Sequence, residues 1–80
     1  MLLADWMALN GITQLKLSVM SGVGQGYISD YLSGNKGIGK YSADKIIDAA
    51  CGKDAEGKPF RGRVTLEELL FPEKYQEGAA

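Results

Sequence analysis

The chain has 80 residues, a net charge of −1, 45% hydrophobic and 24% charged residues, one cysteine and no histidine. A chain this short buries only about 60–65% of its unfolded surface, which argues against a deep catalytic pocket, and its composition is that of an ordinary globular domain. No apolar stretch approaches the roughly 20 residues that cross a bilayer, and the start lacks the basic and apolar regions of a secretory signal, so a cytoplasmic protein is expected.

Leu2, Leu3, Trp6, Met7 and Leu9 recur at helical spacing, with Asn10-Gly11 as a left-handed stop, and predict a first helix whose Trp6 and Met7 enter the core. Thr13 caps a second helix from Gln14 to about Ser21, with Leu17 and Met20 inward. Gly22 turns the chain where positive φ is needed, and Val23 drops into the core. Gly24 opens a third helix whose buried stripe is Ile28, Tyr31 and Leu32, leaving Gln25, Gly26, Ser29 and Asp30 on the opposite face.

Ser33 to Lys40 reads as a loop of small residues carrying two lysines. Ser42 is the expected cap of a fourth helix through Ala43, Ile46, Ile47, Ala49 and Ala50, ending at Cys51-Gly52. Cys51 has no partner for an intrachain disulfide and no histidine to activate it, so it reads as a small buried or half-buried residue near a helix end. Lys53 to Arg63, with glycines, a proline and mixed charge, predicts an exposed excursion or short hairpin. Thr65-Leu66-Glu67-Glu68 fits a capping box for a short last helix bearing Leu66, Leu69, Leu70 and Phe71 before Pro72. The expected fold is all-α: one compact domain of about five short helices over residues 1–75, with residues 76–80 frayed.

Thr13 to Gly34 is the most informative segment. Two short helices joined by a glycine turn, the second polar at its start and stopped by glycine, have the layout of a helix-turn-helix, whose second helix enters the DNA major groove. The net charge of −1 opposes that reading, since such domains usually carry a positive surplus. Its distribution softens the objection. Met1 to Lys45 holds four lysines against three aspartates, whereas Ile46 to Ala80 holds five bases against seven acids. Attraction to DNA is then weak for a single motif, which calls for two motifs acting together.

The spacing from Thr13 to Gly34 resembles, without gaps, the helix-turn-helix of the lambda-repressor and Cro-type family of phage and bacterial regulators. A helix before the motif, a capped helix after the loop, and the ending Gly62-Arg63-Val64-Thr65-Leu66 are similar to small Cro-like proteins, whereas Lys53 to Arg61 is extra to their pattern. Ser18 stands where the family usually has alanine, and Ser21 where an apolar residue is common. The second departure costs about 1 kcal/mol of packing if its hydroxyl finds a partner.

The resemblance implies a role for each position. Gln14, at a helix N-terminus, would bond a phosphate. Gln25 would read adenine through its amide, Gly26 would let the helix approach closely, Ser29 would bond several bases, and Asp30 would accept from cytosine or exclude wrong sequences. Tyr27 would either lie along the backbone or pack at the rim. Asn35, Lys36 and Lys40 follow the recognition helix, where the family touches phosphates. The function implied is a transcriptional regulator, a Cro-like repressor acting as a homodimer on a double-stranded operator, with no cofactor, small-molecule ligand or membrane. Leu69, Leu70 and Phe71 exceed what a short helix needs, so they either meet the partner or fold back on Trp6.

Other patterns carry less. Gly22 to Gly26 looks like a fragment of a phosphate loop, but no strand precedes it and no lysine-serine pair follows. Glu67 and Glu68 point about 100° apart on a helix and suit its dipole better than catalysis. The alternative function is a protein-binding module on the same scaffold.

Overall fold

The structure is a computed structural model that describes residues 1–54 and 56–75, so the tail expected at residues 76–80 lies outside the described residues. Among the described residues five helices run in chain order: α1 (Leu3–Asn10), α2 (Gln14–Ser21), α3 (Gln25–Leu32), α4 (Lys40–Ala50) and α5 (Leu66–Leu70), followed by a 3-10 turn at Pro72–Lys74. The fold is an all-α bundle. α2 packs against both α3 and α4, and α4 packs against α5.

The local signals act as their chemistry requires. Gly11 ends α1 at φ 64° and Gly22 ends α2 at φ 76°, both in the left-handed region that glycine enters without a Cβ penalty. The Thr13 hydroxyl accepts the Lys16 amide at 3.1 Å and so satisfies one orphan donor of α2. At α5 the box is reciprocal: Thr65 Oγ1 accepts the Glu68 amide at 3.2 Å while Glu68 Oε1 accepts the Thr65 amide at 3.0 Å.

α4 begins earlier than its serine suggests. Gly39 takes the capping position with no side-chain cap, its carbonyl accepting the Ala43 amide at 2.9 Å, and Ser42 sits inside the first turn. Lys40 is therefore the first residue of the helix rather than the last of the loop. Ile38, within that loop, is buried and anchors it to the core.

Trp6, Leu17, Ile28, Ile46 and Leu69 are the largest fully buried side chains, with Leu3, Met7, Ile12, Val23, Ala43 and Val64 around them. Each large member contributes about 1.5–3 kcal/mol by leaving water. Of the expected stripe on α3, Ile28 is fully buried whereas Tyr31 and Leu32 are half-buried against the core. Leu69 folds inward and Leu70 packs on the core, so only Phe71 of that trio remains exposed, with Lys74 Nζ 4.8 Å from its ring centroid. Cys51 is exposed, because it is the residue with which the chain leaves α4.

The excursion after α4 is tied down at its far end. An antiparallel bridge joins Lys53 to Pro59, and the Asp54 carboxylate accepts the amides of Glu56 and Lys58, each at 2.9 Å. Phe60 then meets Trp6 edge to face, with ring centroids 5.2 Å apart. The Asn10 amide brackets Arg61, donating to its carbonyl at 2.9 Å and accepting its N–H at 2.8 Å. Residues extra to the expected pattern thus close the core over Trp6.

Candidate nucleic-acid interface

Three residues, Gly22 to Gly24, separate α2 from α3, and two serines of α2 hold that turn. Ser18 Oγ donates to the Val23 carbonyl at 2.6 Å. Ser21 Oγ donates to the Leu17 carbonyl at 2.7 Å and accepts the Val23 amide at 3.2 Å. Both hydroxyls are satisfied where an apolar side chain would have offered only packing. The sequence already showed small polar residues at these sites; what it lacked was the position of the Val23 backbone, which gives them partners.

The turn sets the attitude of α3, whose first residue is Gln25. Gln25, Gly26 and Asp30 are exposed, and Ser29 is half-buried. At 100° per residue these positions share one side of the helix, opposite Ile28. A Cβ placed on Gly26 would meet nothing within 4 Å, so the missing side chain is not a packing requirement of the fold. No side chain caps α3, and its first turn holds no acidic residue, so the outward amides at this end remain available to an acceptor.

The far end of α3 is locked. The Ser33 hydroxyl donates back to the Ser29 carbonyl at 2.6 Å, and the Asn35 amide donates to the Asp30 carbonyl at 3.0 Å. The Tyr31 hydroxyl donates to the Leu69 carbonyl at 2.8 Å, fastening α3 to α5. Burial, reinforced by the Glu73 carboxylate, pushes the Tyr31 pKa above its usual value and keeps that donor protonated.

Tyr27 packs against the core, its hydroxyl accepts the Gly39 amide at 3.2 Å, and Lys36 Nζ lies 5.3 Å from its ring centroid. It thereby links α3 to both the loop and the start of α4. Lys36 and Asn35 are exposed in that loop and Lys40 is exposed at the first position of α4, so three of the four expected backbone contacts other than Tyr27 gather just after α3. Gln14 stands apart from them in the chain, half-buried at the first position of α2.

Two residues in this region escaped the sequence reading. Tyr41 is 75% exposed on the first turn of α4, and Lys45 Nζ lies 4.5 Å from its ring centroid. The i, i+4 spacing of an aromatic and a lysine was the available signal.

No family model matches this chain, and no curated protein or solved structure does either. A cleft of about 410 Å³ lies elsewhere, between the end of α4, the tied excursion and the start of α5, where Ile47, Ala50, Phe60, Val64 and Leu66 line it. Its ionisable lining consists of the Cys51 thiol and the Arg63 guanidinium. Among the described residues no three His, Cys, Asp or Glu side chains gather to hold a metal ion, and no helix is long and apolar enough to cross a membrane.

Proposed function

We propose that the protein is a sequence-specific DNA-binding transcriptional regulator, a Cro-like repressor of phage or prophage type acting in the cytoplasm. The observation that carries the reading is the exposed polar start of α3, with Gln25, Gly26, Ser29 and Asp30 on one side and a serine-pinned turn fixing its angle to α2. Gln25 reads adenine edges, Ser29 and Asp30 read neighbouring bases, and Gly26 permits close approach. Lys36, Lys40, Asn35 and Gln14 bind phosphates and set the register.

A homodimer places two such helices about 34 Å apart on an operator with two half-sites, and occupancy excludes polymerase. Dimerisation also compensates for the weak attraction expected of a chain with net charge −1.

The test is selection of bound genomic fragments followed by gel shift on the enriched sequence at two salt concentrations. An inverted repeat bound with steeply salt-dependent affinity is the expected result. A second reading, a protein-binding module, is favoured by Leu15 and Val19, which are 58% and 77% exposed one turn apart on α2. Absence of any enriched sequence, with the protein folded, decides for the module.

A further inference from the structure

Resting on the DNA-binding reading, the geometry points to a second backbone anchor: Tyr41 and Lys45 of α4 act as one unit that grips the sugar-phosphate strand beyond the loop lysines. An aromatic ring that is 75% exposed at a helix start contributes little to the core, yet this one has a lysine ammonium 4.5 Å from its centroid. Helical side chains lean toward the N-terminus, so Lys45 delivers its charge back to the first turn rather than to its own. The ring holds the ammonium in place before any phosphate arrives, which lowers the entropy lost when the long side chain is fixed.

The unit is joined to the rest of the interface by covalent and hydrogen-bonded links. Gly39, two residues before Tyr41, gives its amide to the Tyr27 hydroxyl, and Lys36 Nζ lies 5.3 Å from the Tyr27 ring centroid. Two lysine-tyrosine pairs thus flank the junction between loop and α4, with Lys40 between them in sequence. Three ammonium groups along the loop and the first turns of α4 are complementary to a polyanion strand. Asp44 and Asp48 lie on the same side of α4 and offset part of this charge, so the anchor consists of the one ammonium that the Tyr41 ring places rather than of a basic surplus of the helix.

The experiment measures affinity and its salt dependence, by fluorescence anisotropy with the selected operator and with random duplex, for wild type, Lys45→Ala, Tyr41→Ala, Tyr41→Phe and the control Lys58→Ala. Lys45→Ala is expected to weaken both duplexes about three- to ten-fold and to lower the salt slope by about one. Tyr41→Ala is expected to weaken both similarly, whereas Tyr41→Phe, which keeps the ring, and Lys58→Ala stay at wild-type affinity. Unchanged affinity and slope for Lys45→Ala, a loss confined to the operator, or a Tyr41→Phe as weak as Tyr41→Ala overturns the anchor. Wild-type protein that binds neither duplex removes the DNA reading itself and the anchor with it. Because Tyr41 is so exposed, the variants keep the wild-type helical circular dichroism, which is recorded alongside.

Discussion

The hydroxyl of Ser18 and the carbonyl of Val23 meet at 2.6 Å across the turn between α2 and α3. The contact is part-buried, so the carbonyl would lose its protein partner if the hydroxyl were removed. Ser18→Ala is therefore expected to cost about 1 kcal/mol in urea unfolding, with a lower midpoint and an unchanged m-value. Ser21→Ala loses a donor and an acceptor in the same turn and should cost a similar amount.

Gly26 separates folding from recognition. It lies inside α3 with open space where a Cβ would go, so Gly26→Ala should raise folding stability by a few tenths to about 1 kcal/mol through lower chain entropy in the unfolded state. The same methyl group would stand between the helix and the base edges and lower operator affinity. Thermal melting and anisotropy on one sample check the two opposite signs together.

Gln25→Ala should cost about 1–3 kcal/mol on the selected operator and little on random DNA, since a base contact carries sequence discrimination and a phosphate contact does not. Equal losses on both duplexes would take Gln25 out of the base-reading role.

Phe60→Ala removes the edge-to-face partner of Trp6. Full truncation of a buried phenylalanine costs 3–5 kcal/mol; Phe60 is only half-buried, so about 2 kcal/mol is expected. Trp6 is the only tryptophan, so its emission reports the same event, shifting to longer wavelength as water reaches the ring.

Glu68 makes stability depend on acid pH. Its partial burial alone would raise its pKa, but the N-terminal ammonium at 2.7 Å and the Thr65 amide and hydroxyl outweigh burial and hold it below the usual glutamate value. A depressed carboxylate stabilises the fold at all pH above its unfolded value, and that contribution disappears as pH falls through the lowered folded value. Wild type should lose stability below about pH 4.5, the ordinary glutamate value, and Glu68→Gln should flatten that part of the curve. Urea midpoints across the acid range give the comparison.

The bounds of α2 and the start of α5 were legible because each rests on a local device: Thr13 capping three residues ahead and Gly22 entering positive φ for α2, Thr65 and Glu68 capping one another for α5. The start of α4 was not, since Gly39 caps with its backbone alone and owes its place to the Tyr27 hydroxyl, 12 residues away. Cys51 read as buried or half-buried near a helix end, yet as the residue at which the chain leaves α4 it is exposed. The exposed face of α3 could be read from helical spacing. The Tyr41–Lys45 pair required knowing that Tyr41 lies outside the core, which no local pattern states. The docking of Phe60 on Trp6 joins residues 54 apart in sequence and left no local trace.

The bracket that Asn10 places on Arg61 gives the loop after α4 a fixed base, while the amides of Glu56 and Lys58 donate to the Asp54 carboxylate within the loop. The backbone between Lys53 and Pro59 closes on itself, and its return to the core is secured beyond that closure by Phe60 and Arg61. Lengthening a loop whose ends are already held costs only about 0.6 kcal/mol per doubling. The bundle can therefore accept foreign sequence between those two residues, so a tether or reporter grafted there would ride on the domain without entering its core.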